Sequence, residues 1–156
     1  MPKPPSDLAL YHRALTHGSH GSETYERLEF LGDRVLGLVV AQWIYGRFPN
    51  DAEGQLSQRF NSLVSGETCA EVGRTINLSS RMRLGKQALD DGAYDSDNVL
   101  GDVVEALIGA VFLEHGLEAA GVFIRTQWEP LLNVQRSAPR HPKSELQEWA
   151  AAHNRR

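Results

Sequence analysis

Cysteine is almost missing from this chain of 156 residues, in which Cys69 stands alone. A single thiol excludes an internal disulfide framework and fits a reducing compartment. Its simplest role is that of a small buried side chain. Long hydrophobic runs are missing too. The longest uninterrupted apolar stretch, after Arg34, is too short to span a bilayer, and the opening MPKPPSDLALYHRAL lacks the apolar core of a secretion signal. A soluble cytoplasmic protein without a membrane partner is expected. No Walker loop, G-x-G-x-x-G turn, internal repeat or low-complexity tract occurs, so no small-molecule cofactor is expected. Strand-like alternation is scarce, which predicts an all-α domain. Nor is there a basic excess: the net charge is −4, which at face value argues against a nucleic-acid partner.

What the chain does have is acid where acid is costly. Residues 25–45, YERLEFLGDRVLGLVVAQWIY, read as one helix whose apolar residues cover nearly every angle, so it should be buried on most sides. Glu26, Glu29 and Asp33 step by three and four and share one stripe of that helix. Unpaired carboxylates in a core cost several kcal/mol or take up a proton. Arg27 and Arg34 lie roughly 100° around the helix from the acids beside them, which makes them imperfect partners. A bound cation is the better one. A second apolar helix, LGDVVEALIGAVFLE at 100–114, carries Asp102 and Glu105 three apart on one face. Two carboxylate pairs facing each other supply hard oxygen ligands with no Cys or His at ligand spacing, which selects Mg²⁺, with Mn²⁺ able to substitute, over Zn²⁺. Two such ions form a clamp suited to phosphodiester hydrolysis. Glu105 and Asp33 are expected to be the least replaceable of the four. Acids that hold metal present less of their charge to RNA, which weakens the objection from net charge.

The octapeptide ERLEFLGD at 26–33, the upstream ALTH at 14–17 and the downstream GDVVEALIGAVFLE at 101–114 resemble the bacterial ribonuclease III family of double-stranded-RNA endonucleases. The likeness spans essentially the whole chain. It implies an all-α ribonuclease III endonuclease bundle at 1–136 and a linker, SAPRHP, at 137–142. Residues 143–156, KSELQEWAAAHNRR, resemble the cut-short opening of a double-stranded-RNA-binding domain. The activity implied is metal-dependent cleavage of duplex RNA, as in rRNA and mRNA precursor processing, to 5′-phosphate and 3′-hydroxyl ends. Glu29, Asp33, Asp102 and Glu105 are then both catalytic and metal-binding, and Glu26 is a contact at the two-fold interface of a homodimer. The likeness departs at Gln55, where the family carries an acid, so no accessory carboxylate is expected there.

The remaining segments set the scaffold. A helix is expected from Asp7 to about Thr16 with Leu8, Leu10, Tyr11 and Leu15 buried, followed by a loop at 18–22. His17 and His20 in that loop lack a third ligand and do not make a zinc site. Gly32 and Gly37 inside the central helix signal the close approach of another backbone. Two helices are expected at 53–64 and 66–76, with Gln58 and Arg59 as candidate RNA contacts, which a solvated polar face explains as well. Arg81, Arg83 and Lys86 form a basic patch. The acid-rich stretch 85–98 reads as a loop without the ligand spacing of an EF-hand, with Asp97 or Asn98 capping the next helix. A last helix at 117–132 should pack Val122, Phe123, Ile124 and Trp128. Two rival functions remain open. A non-catalytic ribonuclease-III-like scaffold would not need all four acids, and a di-iron bundle would need Glu-x-x-His pairs, whereas Gly32 follows Glu29 and Glu105 follows Asp102 at that spacing.

Overall fold

The structure, a computed structural model, describes residues 8–135, residue 147 and residues 149–152. The linker expected at 137–142 lies outside the described residues. Of the segment expected to open an RNA-binding domain, only 147 and 149–152 are described, and they are helical.

Between residues 8 and 135 the helices are, in order, α1 (Leu8–Ala14), α2 (Glu26–Arg47), α3 (Glu53–Leu63), α4 (Gly66–Thr75), α5 (Lys86–Asp90) and α6 (Asp97–Asn133). Single 3₁₀ turns lie at Leu78–Ser80 and Ala93–Asp95. No strand forms among the described residues, where Thr16 and Arg83 make one isolated bridge. The all-α expectation holds.

The two acid-bearing helices, α2 and α6, form the centre. Their buried faces interlock Leu28, Val35, Leu36, Val39 and Val40 with Leu100, Val103, Val104 and Ile108. At the crossing a Cβ on Gly32 would stand only 1.6 Å from the Glu105 carbonyl oxygen, and one on Gly109 only 2.4 Å from that of Leu28. Backbone therefore touches backbone, as the glycine at 32 predicts. Gly37 differs: its nearest neighbour is the Phe60 ring at 3.5 Å, an ordinary side-chain contact.

Helix α6 is long and apolar enough to cross a membrane by length and composition. It is broken at Gly116, whose φ of 86° and ψ of 179° belong to a region open essentially to glycine alone. Beyond the break Trp128 is fully buried and its indole N–H donates to the Leu63 carbonyl at 2.8 Å, tying the end of α6 to α3.

Several expectations need correction. Leu8 is exposed, and Ala14 occupies the core position of α1. Helix α2 is not covered on most sides: Phe30, Leu38 and Tyr45 are 62%, 58% and 75% exposed. Its neighbours pack on one side only, and hydrophobic content alone does not distinguish an interior from an uncovered face. Val122 is exposed for the same reason, while Ile124 is buried. The acid-rich stretch 85–98 contains α5 and a 3₁₀ turn, and Ser96 takes the cap position ahead of α6. Asp95 and Asp97 both pair with Arg74 instead of facing a common ion.

Arg59 is 3% exposed and so is no candidate for RNA contact. It pairs with Asp51 at 2.6 Å, stacks on the Phe48 ring at 3.6 Å and donates to the Gln135 carbonyl at 3.1 Å. Gln55 also acquires a role, since its side-chain oxygen accepts from the Ala52 N–H at 2.9 Å and so satisfies a free donor at the start of α3.

Candidate metal centre

The acids sit where they do because Gly32 and Gly109 let the two helices close up. With no side chain between the backbones, Glu29 one turn before the crossing and Asp102 and Glu105 on α6 point into a common space. One oxygen from each of these three carboxylates lies within 4.8 Å of the others. This is the only such group of potential ligands among the described residues. His17 and His20 are not in it: His17 bonds Ser19 at 2.7 Å and His20 contacts the Arg83 guanidinium at 3.3 Å.

Asp33, the fourth expected ligand, stands at the margin. One of its oxygens is held by Arg34 at 2.6 Å, so the adjacent arginine is a better partner than helix geometry suggests. The Arg34 side chain reaches back while its guanidinium lies 4.2 Å from the centre of the Phe30 ring. Asp33 still acts on Glu105 electrostatically, as one of the charges that raise its carboxyl. Glu26 is exposed and outside the cluster. It borders a groove of about 690 Å³ together with Arg27, Phe30, Leu31 and Leu113.

Electrostatics mark the same place. Burial, then the charges of Asp33, Glu29 and Asp102, push Glu105 from the usual carboxylate range up to about 8. Burial and the charges of Asp102, Glu26 and Asp33 raise Glu29, with Arg34 opposing. Burial raises Asp102, against a hydrogen bond from Tyr25 and the charge of His17. Even Cys69, fully buried beneath the acids, is pushed up to about 12 by burial and by Glu105, Asp33 and Asp102. Such mutual repulsion is relieved by protons or by a cation. The donor set is all hard oxygen, so the residues fit a divalent ion of the Mg²⁺ or Mn²⁺ type.

Sequence reading misses Tyr25. Its ring is buried and its hydroxyl donates to one oxygen of Asp102 at 3.3 Å across 77 positions of chain. No spacing rule links such distant residues. The available signal is a phenol beside the acidic stripe, which reads equally well as the apolar start of a helix.

Comparison with known proteins assigns this all-helical bundle, with its acids on two crossing helices, to a family. A family model described as ribonuclease-III-like matches residues 7–131, and the chain belongs to that family. It is 65% identical over 152 residues to ribonuclease 3 of Zymomonas mobilis, covering 97% of this chain and 62% of that protein. With ribonuclease 3 of Rhodopseudomonas palustris it shares 43% over 152 residues, 94% of this chain and 56% of the relative. The chain thus spans about three fifths of the length of these relatives. Among solved structures, the nuclease domain of ribonuclease III from Campylobacter jejuni superimposes with a TM-score of 0.78 at 38% identity. That match covers 80% of this chain and 87% of the other, which is described for flexibility in a region involved in dimer formation.

Proposed function

We propose that this chain is a metal-dependent endoribonuclease that cleaves double-stranded RNA to 5′-phosphate and 3′-hydroxyl ends, in the processing of rRNA and mRNA precursors. Residues 1–136 form the catalytic domain in this reading. The observation that carries it is the convergence of Glu29 from α2 with Asp102 and Glu105 from α6, one oxygen of each lying within 4.8 Å of the others. When bound, Mg²⁺, or Mn²⁺ in its place, supplies Lewis-acid charge for a phosphodiester and activation of the attacking water.

The chain's own residues do the rest. Glu29, Asp102 and Glu105 hold the cation, and Asp33 completes the set with the oxygen that Arg34 leaves free. Glu105 carries a proton near neutral pH when no cation is present, so ligation there requires its release. The buried faces of Val104 and Ile108 beside Glu105 fix its helix and thus the direction of its carboxylate. A scaffold without catalysis would give no reason for this concentration of destabilised acids.

The protein works as a homodimer in this reading, because a two-fold pair presents one site to each strand of a duplex. Support comes from the uncovered apolar face of α2, where Phe30 is 62% exposed beside Glu26 and Leu113. Glu26 is assigned to that interface. Duplex RNA would then be recognised by shape and 2′-hydroxyl contacts.

The test is incubation of the chain with a plain RNA duplex with and without Mg²⁺, beside Glu105→Gln. Cleavage that requires the metal and falls by at least 100-fold in the variant is expected. Cleavage without metal, or an undiminished variant, refutes the proposal.

A further inference from the structure

Tyr25 occupies a place that links both acid-bearing helices. Its carbonyl accepts the N–H of Glu29 at 2.8 Å, which begins the hydrogen-bond ladder of α2 and sets the turn on which Glu29 stands. Its hydroxyl donates to Asp102 Oδ2 at 3.3 Å on α6. The residue itself is held firmly. Its N–H donates to the Thr16 carbonyl at 3.0 Å, and Thr16 lies in the bridge with Arg83, where Arg83 N–H donates to Leu15 at 2.8 Å and His17 N–H to Arg83 at 2.9 Å. The ring is 6% exposed and tilts against His17 with 6.0 Å between centroids.

A carboxylate that binds a cation has freedom to rotate, and an outer donor on one oxygen removes that freedom while leaving the other oxygen for the ion. We propose that Tyr25 is a positioning residue for the metal centre, orienting Asp102 through its hydroxyl while its backbone carbonyl registers Glu29 on the opposite helix. This rests on the reading of Asp102 and Glu105 as metal ligands. The His17 ring lies against the phenol, 6.0 Å between centroids, and packs it in place.

The test measures Mn²⁺ binding to the chain alone by electron paramagnetic resonance, without RNA, for the wild type, Tyr25→Phe, Asp102→Asn, the double variant and Glu105→Gln. Tyr25→Phe should weaken Mn²⁺ binding by about tenfold or more. In the Asp102→Asn background it should have little further effect, because the hydroxyl acts through that carboxylate. Turnover of duplex RNA by Tyr25→Phe should recover most of its loss at saturating Mn²⁺. Mn²⁺ affinity equal to wild type in Tyr25→Phe, with Glu105→Gln impaired, overturns the role of Tyr25 and leaves the metal centre standing. A lower unfolding temperature in chelator with unchanged affinity gives Tyr25 a packing role only, and equally overturns it. Should Tyr25→Phe not fold, His17→Ala in the same assay must weaken Mn²⁺ binding, and wild-type affinity there refutes the support for the phenol. Equal binding by wild type and Glu105→Gln refutes the metal centre itself.

Discussion

Gly32→Ala probes the contact on which the site is built. The added methyl would stand 1.6 Å from the Glu105 carbonyl oxygen, about 1.8 Å short of the 3.4 Å at which ordinary contact begins, and 2.9 Å from the Gly109 nitrogen. Neither neighbour is the yielding end of a side chain. The helices must therefore separate or rotate, and overpacking of this kind costs about 1–3 kcal/mol, here toward the upper end because backbone meets backbone. For a domain of this size about 3 kcal/mol lowers the unfolding temperature by roughly 6–12 °C. A displacement near 1 Å between Glu29 and Glu105 also costs about 100-fold in turnover. Chemical denaturation, Mn²⁺ binding and duplex cleavage measure the three effects. Gly46→Ala is the control on the same helix, since nothing lies within 4 Å of its Cβ, and it should stabilise by about 0.5–1 kcal/mol. If Gly32→Ala matched the wild type in both midpoint and turnover, the claim that backbone contact sets the spacing of the acids would be wrong.

Three other perturbations follow from the structure. In chelator, Glu105 contributes stability that is full below its unfolded value of 4.5 and is lost as pH rises toward about 8, because the folded carboxyl keeps its proton longer. Thermal unfolding across that window should show the decline, Glu105→Gln should flatten it, and an identical profile for the variant refutes the assignment. Arg59→Ala strands Asp51 and removes the stacking on Phe48, so urea denaturation should show a loss of about 3 kcal/mol with normal cleavage per folded molecule. Unaltered stability with selectively lost RNA binding would restore the role as an RNA contact. Phe30→Asp places a charge on the uncovered face of α2 and should turn a dimer into a monomer in sedimentation, whereas an unchanged mass places the interface elsewhere.

The acids on α2 and α6 were legible because charge in an apolar helix is expensive and their three- and four-residue steps are visible in a string of letters. Gly32 was legible for the same kind of reason: a residue poor for a helix needs a packing cause. The marginal position of Asp33 was not, because the reach of Arg34 depends on rotamers and not on angular spacing. Arg59 was misread for a related reason. Its partners Asp51, Phe48 and Gln135 lie 8, 11 and 76 positions away, and a basic residue on an amphipathic helix looks solvated until its neighbours are known. The exposure of Phe30 and Leu38 lay beyond periodicity, since greasy positions facing another molecule look the same as those facing a core.

Arg59 and Trp128 together have a consequence for the far end of α6. Both contacts join it to α3, one through the Gln135 carbonyl and the other through that of Leu63. The two helix ends should therefore open as one unit, with their amides exchanging hydrogen at matched rates. Loosening the Arg59 grip would uncouple them without touching Glu29, Asp102 or Glu105.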